Sequence, residues 1–292
     1  MGKIQSGVSI VRRLNSVYLL ALPGLILSIL FLIIPIIFDL IISFYTYESG
    51  QVISKFTLEN YIKLFSSQIY LGNILYTIRL ASIVTAACLA LGYPVAYLMA
   101  MHIKGEENKL ILILLFLLPW WIDYTVRSIA WIPVLGREGV INKILMGLRI
   151  LNQPSGAFLF NEVSAIIVMI QANLLFMIGP IFFSLAKIDK SFLEAAETLG
   201  ASKLRAFYHI VFKMSTPGII IGIIFVFIAA MADFATPRLI GGYITTIGLN
   251  IANQVAVLNW PFAGAISIIL LMITLGLIVV MLKIVDIKQM IF

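Results

Sequence analysis

S-F-L-E-A-A-E-T-L-G-A-S-K-L-R-A-F-Y-H-I-V-F-K-M-S-T-P, residues Ser191 to Pro217, is the longest polar, helix-forming stretch in a chain that is otherwise mostly lipid-like. Ser191 followed three positions later by Glu194 has the form of a capping box, which predicts a helix start at Ser191. Ala195, Ala196 and Leu199 continue that helix, and Gly200 supplies the left-handed position at which helices end. Ser202 can cap a second short helix with Leu204, Phe207 and Ile210 on one side, until Pro217 begins something new. Two short helices meeting at a glycine make either a platform for another protein or an ordinary amphipathic surface loop. Spacing alone leaves both readings open.

Around this stretch the chain is 62% hydrophobic and only 11% charged, far outside the soluble range and suited to a bilayer. Its formal charge of +7 is spread singly between apolar runs, which reads as a membrane-orientation signal rather than a nucleic-acid surface. The lone Cys88 lies inside an apolar run, so neither a disulfide framework nor a cysteine metal site can form. His102 and His209 are far apart and read as surface residues.

Six apolar spans are expected: Val17 to Tyr45, Leu71 to Met101, Leu110 to Trp131, Val163 to Ala186, Gly218 to Ala235, and Phe262 to Ile284. A polar leader, Met1 to Asn15, precedes the first, which is too long for a signal-peptide core and lacks an A-x-A cleavage site. Pro23 and Pro35 are kink sites within it. Six spans put both termini on one side. The segments on that side, which include the Ser191–Pro217 loop, hold 12 Lys and Arg against 6 on the other, so termini and loop are expected in the cytoplasm. Gly218 and Gly222 form a G-x-x-x-G at the start of the fifth span, expected to pack closely on a neighbouring helix. No internal repeat stands out, and residues 1–292 read as a single transmembrane domain with a cytoplasmic loop at 188–217.

Glu194-Ala195-Ala196, Gly200, Ile210 and Pro217 resemble the E-A-A-x-x-x-G loop of ABC-importer permeases, the membrane subunits of ATP-driven uptake systems. In that family the loop is a coupling helix that docks on a cytoplasmic ATPase, so the resemblance implies an ATPase-coupling role for Glu194, Ala195, Ala196 and Gly200. The chain departs from the family at Phe212-Lys213, where Leu-Pro is common. It carries no nucleotide-binding loop, no H-E-x-x-H and no G-x-S-x-G, so an intramembrane enzyme is disfavoured and ATP would be used by another subunit. No cofactor or metal is expected in this chain itself.

Asp39, Arg79, Asp123, Arg127 and Asp233 lie within or at the edges of spans, where each should face the bundle or a water-filled cavity. Asp123 and Arg127 stand in the acid-first i, i+4 order of a structural ion pair. Counted along continuous helices, Asp123 and Asp233 sit about 20 Å and about 24 Å from their cytoplasmic starts, at similar depth, with Arg79 in reach of either. Asp233 precedes the helix-breaking Thr236-Pro237-Arg238, and a carboxylate beside an unwound segment suits a substrate pathway. Against that stands Arg238, which could neutralise it. Trp120, Trp121 and Tyr124 follow or flank Pro119 and offer aromatic faces to an organic cation, the competing reading being an interfacial belt.

Phe56-Thr57-Leu58-Glu59-Asn60-Tyr61, Gly92-Tyr93-Pro94, Val126-Arg127 with Ala130-Trp131, Gly139 with Asn142, Asp233-Phe234 with Thr236-Pro237 and Gly241-Gly242, and Trp260-Pro261 with Gly264-Ala265 are similar to the spermidine/putrescine permease branch. More narrowly they resemble the first of the two permeases in those systems, over nearly the whole chain from about residue 17. Asp123 stands where much of the branch is expected to carry a small polar residue. The resemblance implies an all-α, six-span polyamine permease with a second permease, an ABC ATPase dimer and an extracytoplasmic solute-binding protein as partners. Alternatives are an ABC permease for another small solute, or an ATP-independent channel or ion-coupled carrier, which would leave the E-A-A loop without a purpose.

Overall fold

The computed structural model describes residues 22–284. The 1–15 leader, the start of the first span and the residues after 284 lie outside the described part. Among the described residues, five helices are long and apolar enough to cross a membrane, and two helical segments bent by 90°, within 107–147, make a sixth if they count as one broken span. In chain order the elements are α1 (Leu22–Ile42), the strands β1 (Thr46–Glu48) and β2 (Gln51–Ile53), α2 (Glu59–Ser66), α3 (Gln68–His102), α4 (Glu106–Leu117), α5 (Tyr124–Ile129), α6 (Val140–Gly147), α7 (Glu162–Leu185), α8 (Lys190–Thr198), α9 (Lys203–Ala232), α10 (Ala235–Leu239), α11 (Ile247–Ala256) and α12 (Trp260–Ile284). They group into two compact units: residues up to Leu64 with Gln254–Ile268, and Phe65–Asn253 with the chain from Ile269 onward.

In the first unit, α1 widens to a π-helical turn at Ile29–Ile33, immediately before Pro35. A wider turn there lets the helix continue past a residue that has no N–H to donate. β1 and β2 pair antiparallel, Thr46 opposite Ile53, around the left-handed Ser49 (φ 53°) and Gly50 (φ 83°), the geometry a two-residue hairpin turn needs. The chain leaving α1 is pinned by α2. The Asn60 amide donates to the Ser43 and Tyr45 carbonyls at 2.9 Å each, and the Tyr61 and Ser43 hydroxyls lie 2.7 Å apart. Gly264 has no room for a side chain, since a Cβ there would lie 2.9 Å from Asp39 Oδ1. Asp39 therefore faces α12, as a charged group on a span must face protein.

The second unit is organised on α3, α7 and α9, whose buried faces meet through Leu80, Val84, Met177, Ile181, Val226 and Met231. Cys88 is free and buried among them. The expected close packing at the G-x-x-x-G is present: a Cβ on Gly218 would strike the Pro180 carbonyl and lie 2.9 Å from Ile181 Cα, and one on Gly222 would lie 2.7 Å from Met177 Sδ. The Pro180 carbonyl and the Ile181 Cα are backbone atoms and cannot move aside. Gly218→Ala is therefore expected to lower stability by about 1–3 kcal/mol, read as a lower midpoint in thermal unfolding of the purified protein; an unchanged midpoint would contradict this packing.

Two spans differ from expectation. Pro217 does not begin a new element, because α9 runs unbroken from Lys203 to Ala232. A π-helical stretch at Phe207–Phe212 shifts the hydrogen-bond register just ahead of the proline, and the Ser215 and Thr216 hydroxyls both donate to the Phe212 carbonyl. The third span is not one helix to Trp131. It tightens at Leu118–Trp121, around Pro119, and breaks at Ile122–Asp123 before α5. The depth estimated for Asp123 along a continuous helix therefore does not apply.

Candidate functional site

The loop at 188–217 folds as two helices meeting at a glycine, but its first cap is not the expected one. α8 starts after Asp189, whose carboxylate accepts from the Ser191 N–H at 2.9 Å. Ser191 is thus inside the helix, and Glu194 has no capping duty. Asp189 and Ser191 are both good cap residues two positions apart, and sequence spacing favoured the wrong one. That N–H holds the Asp189 carboxyl below its ordinary range. The cap is therefore formed above the ordinary carboxylate range and lost only as the pH falls through the lowered value.

The C-terminus of α8 follows expectation. Gly200 is left-handed (φ 83°), the Ala201 N–H donates to the Ala196 carbonyl and the Gly200 N–H to that of Glu197, both at 2.9 Å. These two bonds are a complete Schellman motif. Ser202 then caps α9 through the Arg205 N–H. Glu194 and Glu197 line a cleft of about 270 Å³, opposite Tyr97, Met101 and His102 at the end of α3. Leu199 (88% exposed) and Leu204 (68%) project at the end of α8 and the start of α9. α8 is thus capped at both ends, with exposed leucines and the exposed Glu194 and Glu197 beside it.

A second cluster lies where two spans break. α9 stops at Ala232, and Asp233 turns extended (φ −66°, ψ 121°). Only 6% exposed, Asp233 accepts the Tyr124 hydroxyl on Oδ2 at 2.6 Å and the Ala235 and Thr236 N–H groups on Oδ1 at 3.0 and 3.1 Å. The Thr236 hydroxyl lies 3.0 Å from that of Tyr124 and 3.5 Å from that of Ser128. One carboxylate thereby ties the break of α9 to the break between α4 and α5. Arg238 is exposed and is not among its partners. The groups that meet the Asp233 carboxyl are a hydroxyl and two backbone N–H groups, and they hold it next to unwound backbone.

Asp123 and Arg127 do not form the expected ion pair. Asp123 sits at the N-cap of α5 in extended geometry, and its carboxylate turns back onto the Thr125 and Val126 N–H groups at 2.8 and 3.4 Å. An i, i+4 pair needs both residues on the helix, and the break at Pro119–Asp123 removes one of them. The Arg127 guanidinium instead lies 6.0 Å from the Trp120 ring centre and 5.6 Å from that of Tyr124, and its Nε is buried without a hydrogen-bond partner. Arg79 reaches neither Asp123 nor Asp233, since it pairs with Glu162 on α7 and lies over the Tyr76 ring. Trp120 stands edge-on to Phe176 at 4.5 Å, while Trp121 is 89% exposed. Of the expected pathway set, Asp233 and Tyr124 are in direct contact, Trp120 is joined to Tyr124 through Arg127, and Asp123 and Trp121 stand outside the cluster. Double-mutant cycles check this arrangement: the effects of Asp123→Asn and Arg127→Gln on stability are expected to add, and a rescue in the double variant would restore the ion pair.

Glu162, Ser128 and Thr236 were not identified from sequence as partners at these sites. Their partners lie 83 to 112 residues away, beyond any local spacing rule. Other motif residues are structural pins. Asn142 holds Gly136 and Ser155 through three hydrogen bonds, and Gly242 (φ 67°) lies against the Phe160 carbonyl.

No family model matches the chain. Among curated proteins, the spermidine/putrescine transport system permease protein PotB of Escherichia coli is 35% identical over 248 residues, 83% of this chain and 88% of that protein. PotB of Haemophilus influenzae is 33% identical, over 82% and 84% of the two chains. A sulfoquinovosyl glycerol transport system permease protein of Agrobacterium fabrum is 26% identical over 95% of this chain and 92% of its own. Among solved structures, a chain of a bacterial alginate ABC transporter, in complex with an alginate pentasaccharide-bound periplasmic protein, superposes with a TM-score of 0.76. It covers 96% of this chain and 97% of its own at 16% identity, a likeness of fold.

Proposed function

We propose, since this chain belongs to the spermidine/putrescine permease branch of the ABC importers, that it is the transmembrane subunit through which such an importer moves polyamine across the cytoplasmic membrane. The observation that carries this is the 35% identity to a spermidine/putrescine permease across 83% of the chain. The chain is a multi-pass transport protein, and the ATP would be hydrolysed on a separate ATPase dimer. The remaining partners are a second permease beside it and a solute-binding protein outside. The termini and the 188–217 loop face the cytoplasm, as the excess of Lys and Arg on that side favours. The whole chain acts as one permease domain.

In this reading α8 docks on the ATPase, with Glu194, Ala195, Ala196 and Gly200 as its coupling residues. Closure of the ATPases on ATP shifts the loop, and because α9 continues from it without interruption, the shift reaches Asp233 at the far end of the same helix. There the Tyr124–Asp233 contact joins the two breaks, the points at which the outer part of the bundle can open. A polyamine ammonium leaving water needs a carboxylate or aromatic faces to replace its hydration, and Asp233, Tyr124 and Trp120 are grouped there to do so.

Affinity purification of the tagged chain tests the class. An ABC ATPase and a second permease should co-purify in stoichiometric amounts. Purification without an ATPase, with transport retained, would favour an ATP-independent channel or ion-coupled carrier. Retained coupling with uptake of an uncharged solute would favour a permease for another small solute.

A further inference from the structure

We propose that Arg127 is a tethered stand-in for the transported cation: its guanidinium holds the aromatic faces of Trp120 and Tyr124 until a polyamine ammonium displaces it. The guanidinium carbon lies 6.0 Å from the Trp120 ring centre and 5.6 Å from that of Tyr124, the range within which a ring attracts a cation. Both rings are fixed from elsewhere, Trp120 edge-on against Phe176 at 4.5 Å and Tyr124 through its hydroxyl on Asp233 at 2.6 Å. Arg127 is not. Asp123 caps α5 instead of pairing with it, and among the described residues no carboxylate forms an ion pair with its guanidinium. Its Nε is buried without a hydrogen-bond partner. An arginine kept for structure has its buried donors satisfied. One held by ring faces alone is held weakly and can leave them.

The side chain also has somewhere to go. Arg127 lines a cavity of about 320 Å³ with Pro119, Ala130, Trp131, Val134 and Gln171. There the Gln171 side-chain carbonyl accepts the Trp131 indole N–H at 3.3 Å and keeps a second lone pair for a guanidinium N–H. Rotation of Arg127 into this cavity clears both ring faces beside the Tyr124–Asp233 contact. Two cations cannot share those faces, since like charges a few ångströms apart repel, so each ammonium bound there displaces the guanidinium. The tethered cation lowers the affinity of the pathway by the fraction of time that it occupies the rings. A site that passes its cargo on must hold it weakly enough to let it leave. This role rests on the polyamine reading of the site above, and it adds the residue that sets how tightly the ammonium is held.

The test is equilibrium binding of labelled spermidine to the purified permease–ATPase complex without the binding protein. Arg127→Gln should bind spermidine about three- to tenfold more tightly, the value of one cation–π contact no longer contested. Arg127→Lys keeps a cation on the stem and should stay within about twofold of the unaltered complex. With Trp120→Leu in place the gain from Arg127→Gln should shrink, because one of the contested faces is gone. Repulsion at a distance would instead give an equal gain with and without Trp120. That result would overturn the proposal, as would a gain in Arg127→Lys equal to that in Arg127→Gln. Unchanged or weaker binding in Arg127→Gln, or no binding in either form, would overturn it too. Arg127→Met repeats the neutral comparison on an unbranched apolar stem, and failure of both neutral variants to assemble would make Arg127 structural and end the proposal. The polyamine reading is scored separately, on ATP-driven uptake by the unaltered complex. Uptake present with no gain in Arg127→Gln removes only the role of Arg127; uptake of another solute and not of polyamine removes the reading itself.

Discussion

Asp233→Asn is expected to leave the protein folded and assembled while cutting polyamine uptake about 10- to 100-fold, the value of an interaction with a charged group of about 1.5–3 kcal/mol. The asparagine carbonyl can still accept the Ala235 and Thr236 N–H groups that now reach Oδ1. Its amide can face Tyr124, whose hydroxyl is free to turn toward Thr236 at 3.0 Å. Shape and hydrogen bonds survive and the charge does not. Asp233→Ala is the contrasting variant. It strands two N–H groups at a site only 6% exposed, at about 1–3 kcal/mol for each buried group left unpaired, so loss of expression is expected. Uptake is measured with labelled spermidine or putrescine, with basal ATP hydrolysis as the control for assembly. Full uptake by Asp233→Asn would confine Asp233 to holding the helix break. Failure of that variant to fold would show that the charge itself is structural.

Glu194→Lys is expected to abolish substrate-stimulated ATP hydrolysis, and uptake with it, in a protein that inserts and expresses normally. Glu194 lies within α8, exposed and outside both caps, so reversing its charge leaves the Asp189 cap and the Gly200 terminus intact. Asp189→Ala makes the comparison informative, because it removes the Ser191 N–H acceptor and loosens the start of the helix. That variant should lose stimulation through disorder of α8, visible as increased hydrogen exchange over 190–198. Glu194→Lys should show no such change. Normal stimulation in Glu194→Lys would remove the coupling role of this residue.

The spans were legible because apolar runs of membrane length have few alternatives, and the glycine junction of the 188–217 loop because Gly200 and Ser202 act locally. The loop's first cap was missed for a local reason: Asp189 and Ser191 compete for one role, and the side chain that wins is settled by where the chain leaves α7. The broken third span was half visible, since Pro119 was seen but not its consequence. Asp123 shows the cost of that omission. Once the helix breaks, an i, i+4 ion pair becomes an N-cap and a guanidinium resting on aromatic rings. The Tyr124–Asp233 contact spans 109 residues, and two helices must pack before it exists. Periodicity carries no information of that kind. Motif residues such as Asn60, Gly264 and Asn142 were recognised by resemblance, and the structure supplies their reason as pins of loops and close approaches.

Reconstitution tests the central claim most directly. The chain is placed in proteoliposomes with its ATPase and second permease, the binding protein is added outside, and accumulation of labelled spermidine or putrescine is followed with and without ATP inside. The account predicts accumulation against a gradient that requires ATP and the binding protein and is lost with Glu194→Lys. Polyamine flux that continues without ATP, or an assembled complex that hydrolyses ATP with the binding protein yet moves no polyamine, would contradict it.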